Sequence, residues 1–142
     1  MKDAPRDMAP SACATLSIAT DAGVRAKISI VNRSAAPIFV DRSQAALDGA
    51  LENDLFAITP AGGPRVGYTG PLVKRGPPGP EGFVRLGPGE SIETSIQLDR
   101  FYAFPPERRR YVVRFTSYQQ PPDGSEPWDL ESNEASFVAG TL

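Results

Sequence analysis

In the run SIETSIQLD (91–99), Ile92, Thr94, Ile96 and Leu98 alternate strictly with Ser91, Glu93, Ser95 and Gln97. A period of two sends one set to a buried face and the other to water, which suits an antiparallel strand covered on one side. A helix would scatter both sets around its circumference. The alternation returns in VRAKISIVN (24–32), where Val24, Ala26, Ile28 and Ile30 oppose Arg25, Lys27 and Ser29. CATLSIAT (13–20) repeats it, with Leu16 and Ile18 against Thr15 and Ser17. The link DAG (21–23) is short and built of turn residues, so these two strands are expected to be neighbours.

Shorter runs follow in the same style. IFVD (38–41), DLFAIT (54–59) with Phe56 and Ile58 inward, RVGYT (65–69) with Val66 and Tyr68 on one face, and GFVRL (82–86) all read as strands. RRYVVRFTSY (109–118) points Tyr111, Val113 and Phe115 one way, and ESNEASFVA (131–139) closes the chain with Ala135, Phe137 and Ala139 inward. Only 42–54 has helical character, and Gly49 limits it to a turn or two. Most of the 15 prolines and 13 glycines fall between these runs, for example at NRSAAP, PAGGP, GPGE and the long loop QQPPDGSEPWD, where a chain of short strands needs its turns. The expectation is an all-β fold, an immunoglobulin-like antiparallel β-sandwich of about seven to nine strands. Tyr111 opens the penultimate strand after a bend, the place of a tyrosine corner in such folds. Residues 1–10 read as a loose tail and 11–142 as a single domain, a length that suits one core.

Composition narrows the chemistry. The net charge of −2 lacks the basic footprint of a nucleic-acid binder. No apolar run approaches the roughly 18 residues of a membrane span. The start, MKDAPRDMAPSAC, carries charges without an apolar centre, so it does not read as a signal peptide. Cys13 is the one cysteine, which rules out an internal disulfide and a cysteine zinc cluster; it is expected as a small buried apolar side chain.

The chain has no histidine. That removes Ser-His-Asp and Cys-His nucleophile systems and the His-Glu-x-x-His zinc motif. No glycine-rich phosphate loop is present. Carboxylates remain. Asp123, Glu126, Asp129, Glu131 and Glu134 could gather oxygens for calcium, but their spacing is not that of an EF-hand, and a solvated acidic hairpin paired with Arg114 is the plainer expectation. Glu52 and Asp54 offer an acid/base pair on paper, yet an Asx turn before a strand fits them better. Arg108, Arg109 and Arg110 read as a solvated strand edge that discourages aggregation. Trp128, in a proline-flanked loop, is either a binding anchor or a cover over one end of the core. No cofactor or metal is expected, and the chain is expected not to be an enzyme.

The stretch GYTGPLVKRGPPGP (67–80) joins an aromatic, two basic residues and four prolines. Prolines fix φ and lower the entropy cost of ordering a loop, so Tyr68, Leu72, Lys74 and Arg75 can be held as a shaped surface for a partner. The competing expectation is that Leu72 and Val73 tuck into the sandwich. With its flanks, LDG (47–49), ENDLF (52–56), LGPGES (86–91) and LDRFY (98–102), the stretch resembles the N-terminal β-sandwich region of deuterolysin-type (aspzincin) metalloendopeptidases, including peptidyl-Lys enzymes. The resemblance covers roughly residues 14–139. In that family the region precedes a catalytic domain with a His-Glu-x-x-His motif, which this sequence lacks, so no catalytic residue or zinc ligand carries over. The resemblance implies a stand-alone version of the non-catalytic precursor portion, which assists or restrains a peptidase, and a secreted or periplasmic setting. The expected function is a non-catalytic protein-binding module that binds a peptidase or another protein through Tyr68, Leu72, Lys74, Arg75 and Trp128. The alternative is an accessory or adhesin-type domain, which would show no exposed apolar patch near 68–78.

Overall fold

A computed structural model describes residues 12–74 and 79–141. The chain forms nine strands among these residues: β1 (Ala12–Ala19), β2 (Arg25–Asn32), β3 (Ile38–Asp41), β4 (Phe56–Pro60), β5 (Phe83–Leu86), β6 (Ser91–Gln97), β7 (Arg109–Gln119), β8 (Trp128–Glu131) and β9 (Ala135–Ala139). All strand pairs are antiparallel. One sheet has the order β1-β2-β6; a second is built on β7, with β4 on one side and β8 and β9 on the other. These are the A-B-E and C-F-G orders of an immunoglobulin-like sandwich. A short pair, β3-β5, adjoins the far end of β7, where Asp41 N–H donates to Gln119 Oε1 at 2.8 Å and the Ser117 hydroxyl donates to the Gln44 carbonyl.

The alternation decides which side chains meet. Ala26, Ile28 and Ile30 of β2 and Ile96 of β6 are fully buried against Phe56, Ile58, Tyr111, Val113 and Phe115 of the facing sheet. Phe56 and Phe115 pack with ring centroids 5.5 Å apart. The region 42–54 supplies only a single 3-10 turn, Ser43–Ala45, as Gly49 foretold; Gly49 itself has φ of +83°. The bend after β6 is likewise one 3-10 turn, Leu98–Arg100. Arg108, Arg109 and Arg110 are exposed, and Arg114 pairs with Glu134 at 3.2 Å.

β8 and β9 are one returning strand broken by a bulge. From Thr116↔Glu131 to Val113↔Ala135, β7 advances three residues while the return chain advances four. The extra residue bends the strand toward β1. There the Ser132 hydroxyl accepts from Phe115 N–H at 2.9 Å, and the Asn133 amide clasps Leu16 from both sides. Leu16 N–H donates to Asn133 Oδ1 at 2.8 Å, and Asn133 Nδ2 donates to the Leu16 carbonyl at 3.1 Å. This clasp lies beside a parallel bridge between Ala14 and Ser132, and together they close the seam between the sheets. Asn133→Ala is expected to cost about 1–2 kcal/mol, because two strand groups lose their partner. Amide exchange at Leu16 should accelerate well beyond that of its β1 neighbours.

Three expectations are corrected. Cys13 is exposed, not buried: Ala14 and Leu16 face the core, so the period of two turns Cys13 outward. Trp128 lies in strand β8 rather than in the loop. Trp128 and Leu130 point inward while Asp129 and Glu131 point out, so the indole covers the core and is only 6% exposed. Tyr111 is fully buried but forms no tyrosine corner; its hydroxyl has no hydrogen-bond partner among the described residues. Instead the ring stacks on Phe137 at 5.3 Å and meets Phe104 edge-on, and packing holds it. Removing an unpaired buried hydroxyl removes its desolvation cost. Tyr111→Phe is therefore expected to leave stability unchanged or raise it by up to about 1 kcal/mol; a true corner would lose that much or more in a denaturant titration.

Candidate functional site

Residues 66–73 are tied to the sandwich at several points. Val66 is buried and its N–H donates to the Ile58 carbonyl at 2.8 Å, which carries the chain along the outside of β4. Residues 67–69 then pair with 101–103. Tyr68 bridges Tyr102, Thr69 N–H donates to the Phe101 carbonyl at 2.8 Å, and Ala103 N–H donates to the Gly67 carbonyl at 3.0 Å. The Tyr68 ring lies against Tyr102 with centroids 5.3 Å apart, and its hydroxyl donates to the Pro71 carbonyl, folding the turn back on itself. Gly70 sits inside this fold. A Cβ there would lie 2.7 Å from the Tyr68 hydroxyl and 2.9 Å from the Phe101 ring. Farther on, Val73 N–H donates to the Glu52 carbonyl at 2.9 Å.

A polar network underlies these anchors. The Tyr102 hydroxyl accepts from Phe56 N–H at 3.0 Å and donates to Asp54 Oδ1 at 2.7 Å. Arg65 donates through Nη2 to Asp54 Oδ2 at 2.9 Å and to the Phe56 carbonyl at 2.8 Å. Burial, reinforced by the hydrogen bond to Asp54, drives the Tyr102 hydroxyl far above the usual phenol range, so it stays a donor. Burial and then the charges of Asp54 and Glu52 push Tyr68 in the same direction. Asp54 thus serves as a hub rather than the expected Asx turn, and its carboxylate is engaged by a tyrosine and an arginine. Among the described residues, no group of three or more His, Cys, Asp or Glu side chains comes close enough to hold a metal ion.

On this base stands an exposed tip. Leu72 is 74% exposed, Val73 is 37% exposed, and Lys74 is open to solvent. Leu72 and Val73 therefore do not tuck into the sandwich. Pro71 fixes the chain just before them, and the hydrogen bond from Val73 to Glu52 tethers the backbone while the side chains face water. Of the five residues expected at a partner surface, Tyr68, Leu72 and Lys74 come together here. Trp128 is in the core, and Arg75, with Pro77 and Pro78, lies outside the described residues. Of the residues that build the platform, Asp54 was read only as part of a turn, and Arg65, Gly70 and Tyr102 were not singled out in the sequence.

Fold and loop together define a small antiparallel β-sandwich that presents a tethered surface loop. Compared with known families the chain matches none, and no curated protein is significantly similar to it. Among the described residues no helix is long and apolar enough to cross a membrane.

Proposed function

We propose that the protein is a non-catalytic binding module whose loop 67–74 docks on another protein, with a deuterolysin-type zinc endopeptidase as the partner. The observation that carries this reading is the 74% exposure of Leu72 on a backbone tethered at Thr69, Pro71 and Val73. An isolated exposed leucine is ordinary. A leucine held out of the core by a proline, a hydrogen-bonded turn and an aromatic platform is less easily explained by packing. Tethering the backbone also lowers the loop-ordering cost of association. Lys74 adds a cation beside the apolar tip, which complements an acidic rim on a partner. The choice of a peptidase rests on the motif resemblance across 47–102 and on the missing histidines. The accessory-domain alternative foresaw no exposed apolar patch near 68–78, whereas Leu72 and Val73 both face solvent.

Biolayer interferometry with immobilised protein and such a peptidase tests the reading. A saturable signal at micromolar concentration supports it; no complex at that concentration rejects it.

A further inference from the structure

We infer that the protein forms a weak two-fold dimer through the outer face of the β7 sheet, with the basic end of that face in one copy set against the acidic end in the other. This surface is separate from loop 67–74, and the inference does not depend on the reading above.

The alternation of β7 builds the face. Tyr111, Val113 and Phe115 go to the core, so Arg110, Val112, Arg114, Thr116 and Tyr118 line the outer side, all exposed. Register fixes their neighbours. Arg110 lies beside Val138 of β9, while Thr116 and Tyr118 lie beside Glu131 and Asp129 of β8. Arg114, midway along, is paired with Glu134 at 3.2 Å. What remains is a cation at one end, two carboxylates at the other, and small or apolar side chains between. Val112 is 38% exposed and Tyr118 is 54% exposed, two of the five large apolar side chains left open among the described residues.

The end charges are unmatched within the chain. Among the described residues, Arg110 has no acidic partner, and Asp129 and Glu131 have no basic one. The two carboxylates stand on the same side of β8, roughly 7 Å apart along the strand, and repel each other. A partner surface of one sign would satisfy one end and repel the other. A second copy turned end for end satisfies both. Positions 110 and 118 are equidistant from 114 on β7. A two-fold axis in the plane of the face, crossing near Arg114, therefore sets Arg110 of each copy over Tyr118 of the other and the acids beside it. An isologous contact needs such a self-complementary patch. The neutralised Arg114–Glu134 pair falls at the axis, where two copies of one charge would otherwise collide. Stacking without the turn would put like over like, which excludes that arrangement.

Size sets the strength. The face runs about 27 Å along β7 and roughly 15 Å across three strands. That is well short of the ~800 Å² per partner of a standard interface, so self-association is expected near ~0.1 mM rather than at nanomolar concentration.

Sedimentation equilibrium of the whole protein, from about 10 μM to about 1 mM, is the test. The average mass should rise from 15.2 kDa toward twice that value, and added salt should weaken the association several-fold. Arg110→Glu, and separately Asp129→Lys combined with Glu131→Lys, should each weaken it at least tenfold with an unchanged melting temperature. Mixing the two variants should restore it, because both ends of the mixed dimer again join opposite charges. A parent protein that stays monomeric at about 1 mM overturns the inference, as does a dimer that neither charge reversal weakens. Reversals that weaken the dimer without recovery on mixing overturn the end-for-end arrangement.

Discussion

Tyr102→Ala is expected to lower the free energy of unfolding by about 3–5 kcal/mol, a large share of the stability of a domain this size. The ring packs edge-on against Phe56 at 6.3 Å and supports Tyr68, and its hydroxyl satisfies the buried Phe56 N–H. The conservative change Tyr102→Phe separates these roles. It keeps the ring but orphans Phe56 N–H and one oxygen of Asp54, at a cost of about 1–3 kcal/mol. A pH dependence accompanies it. The folded-state pKa of Tyr102 is raised by burial and by Asp54, so its contribution is fully present below the unfolded value, near pH ~10, and is lost as pH rises beyond that. Stability of the parent protein should therefore fall with increasing steepness above pH ~10, and Tyr102→Phe should show a shallower decline there. Urea titrations at several alkaline pH values measure both effects.

The second large effect concerns binding. If the proposed peptidase docks on this loop, Leu72→Asp is expected to weaken that association by at least tenfold, about 1.4 kcal/mol, since a charged group replaces the apolar tip. Because Leu72 is 74% exposed in the free protein, the same change should move stability by no more than about 0.5 kcal/mol. That combination is diagnostic. A residue that merely finished the core would show the reverse, with lost stability and unaltered binding. Lys74→Glu should act more gently and mostly on the association rate, with an effect that fades as salt is raised.

Much of the fold was legible because its strands are buried on one face only. The alternation in 24–32 and 91–99 predicts inward sets that the structure buries, from Val24 to Ile30 and from Thr94 to Leu98. Cys13 was legible too: a strict period of two from Leu16 places it outside, and its low polarity obscured that. Trp128 was misplaced because Gly124 and Pro127 make the preceding segment read as loop, while the strand it opens is only four residues long. The bulge that follows has no signature in composition; only the shift in pairing across β7 exposes it.

The platform under the loop was hidden for another reason. Asp54, Arg65 and Tyr102 are brought together across 48 residues by the pairing of 67–69 with 101–103, and no local pattern encodes that meeting. The loop itself was half legible. Its prolines announced a shaped segment, but Leu72 and Val73 are apolar and were as easily read into the core. Only their exposure in the folded chain shows that they face solvent.

Nitrogen-15 chemical-shift mapping, with unlabelled peptidase added to labelled protein, tests the central claim most directly. The predicted outcome is perturbation concentrated on 68–74 and its Tyr102 platform, with the outer faces of both sheets unmoved. Spectra that stay unchanged at saturating peptidase, or shifts confined to a sheet face, would contradict it.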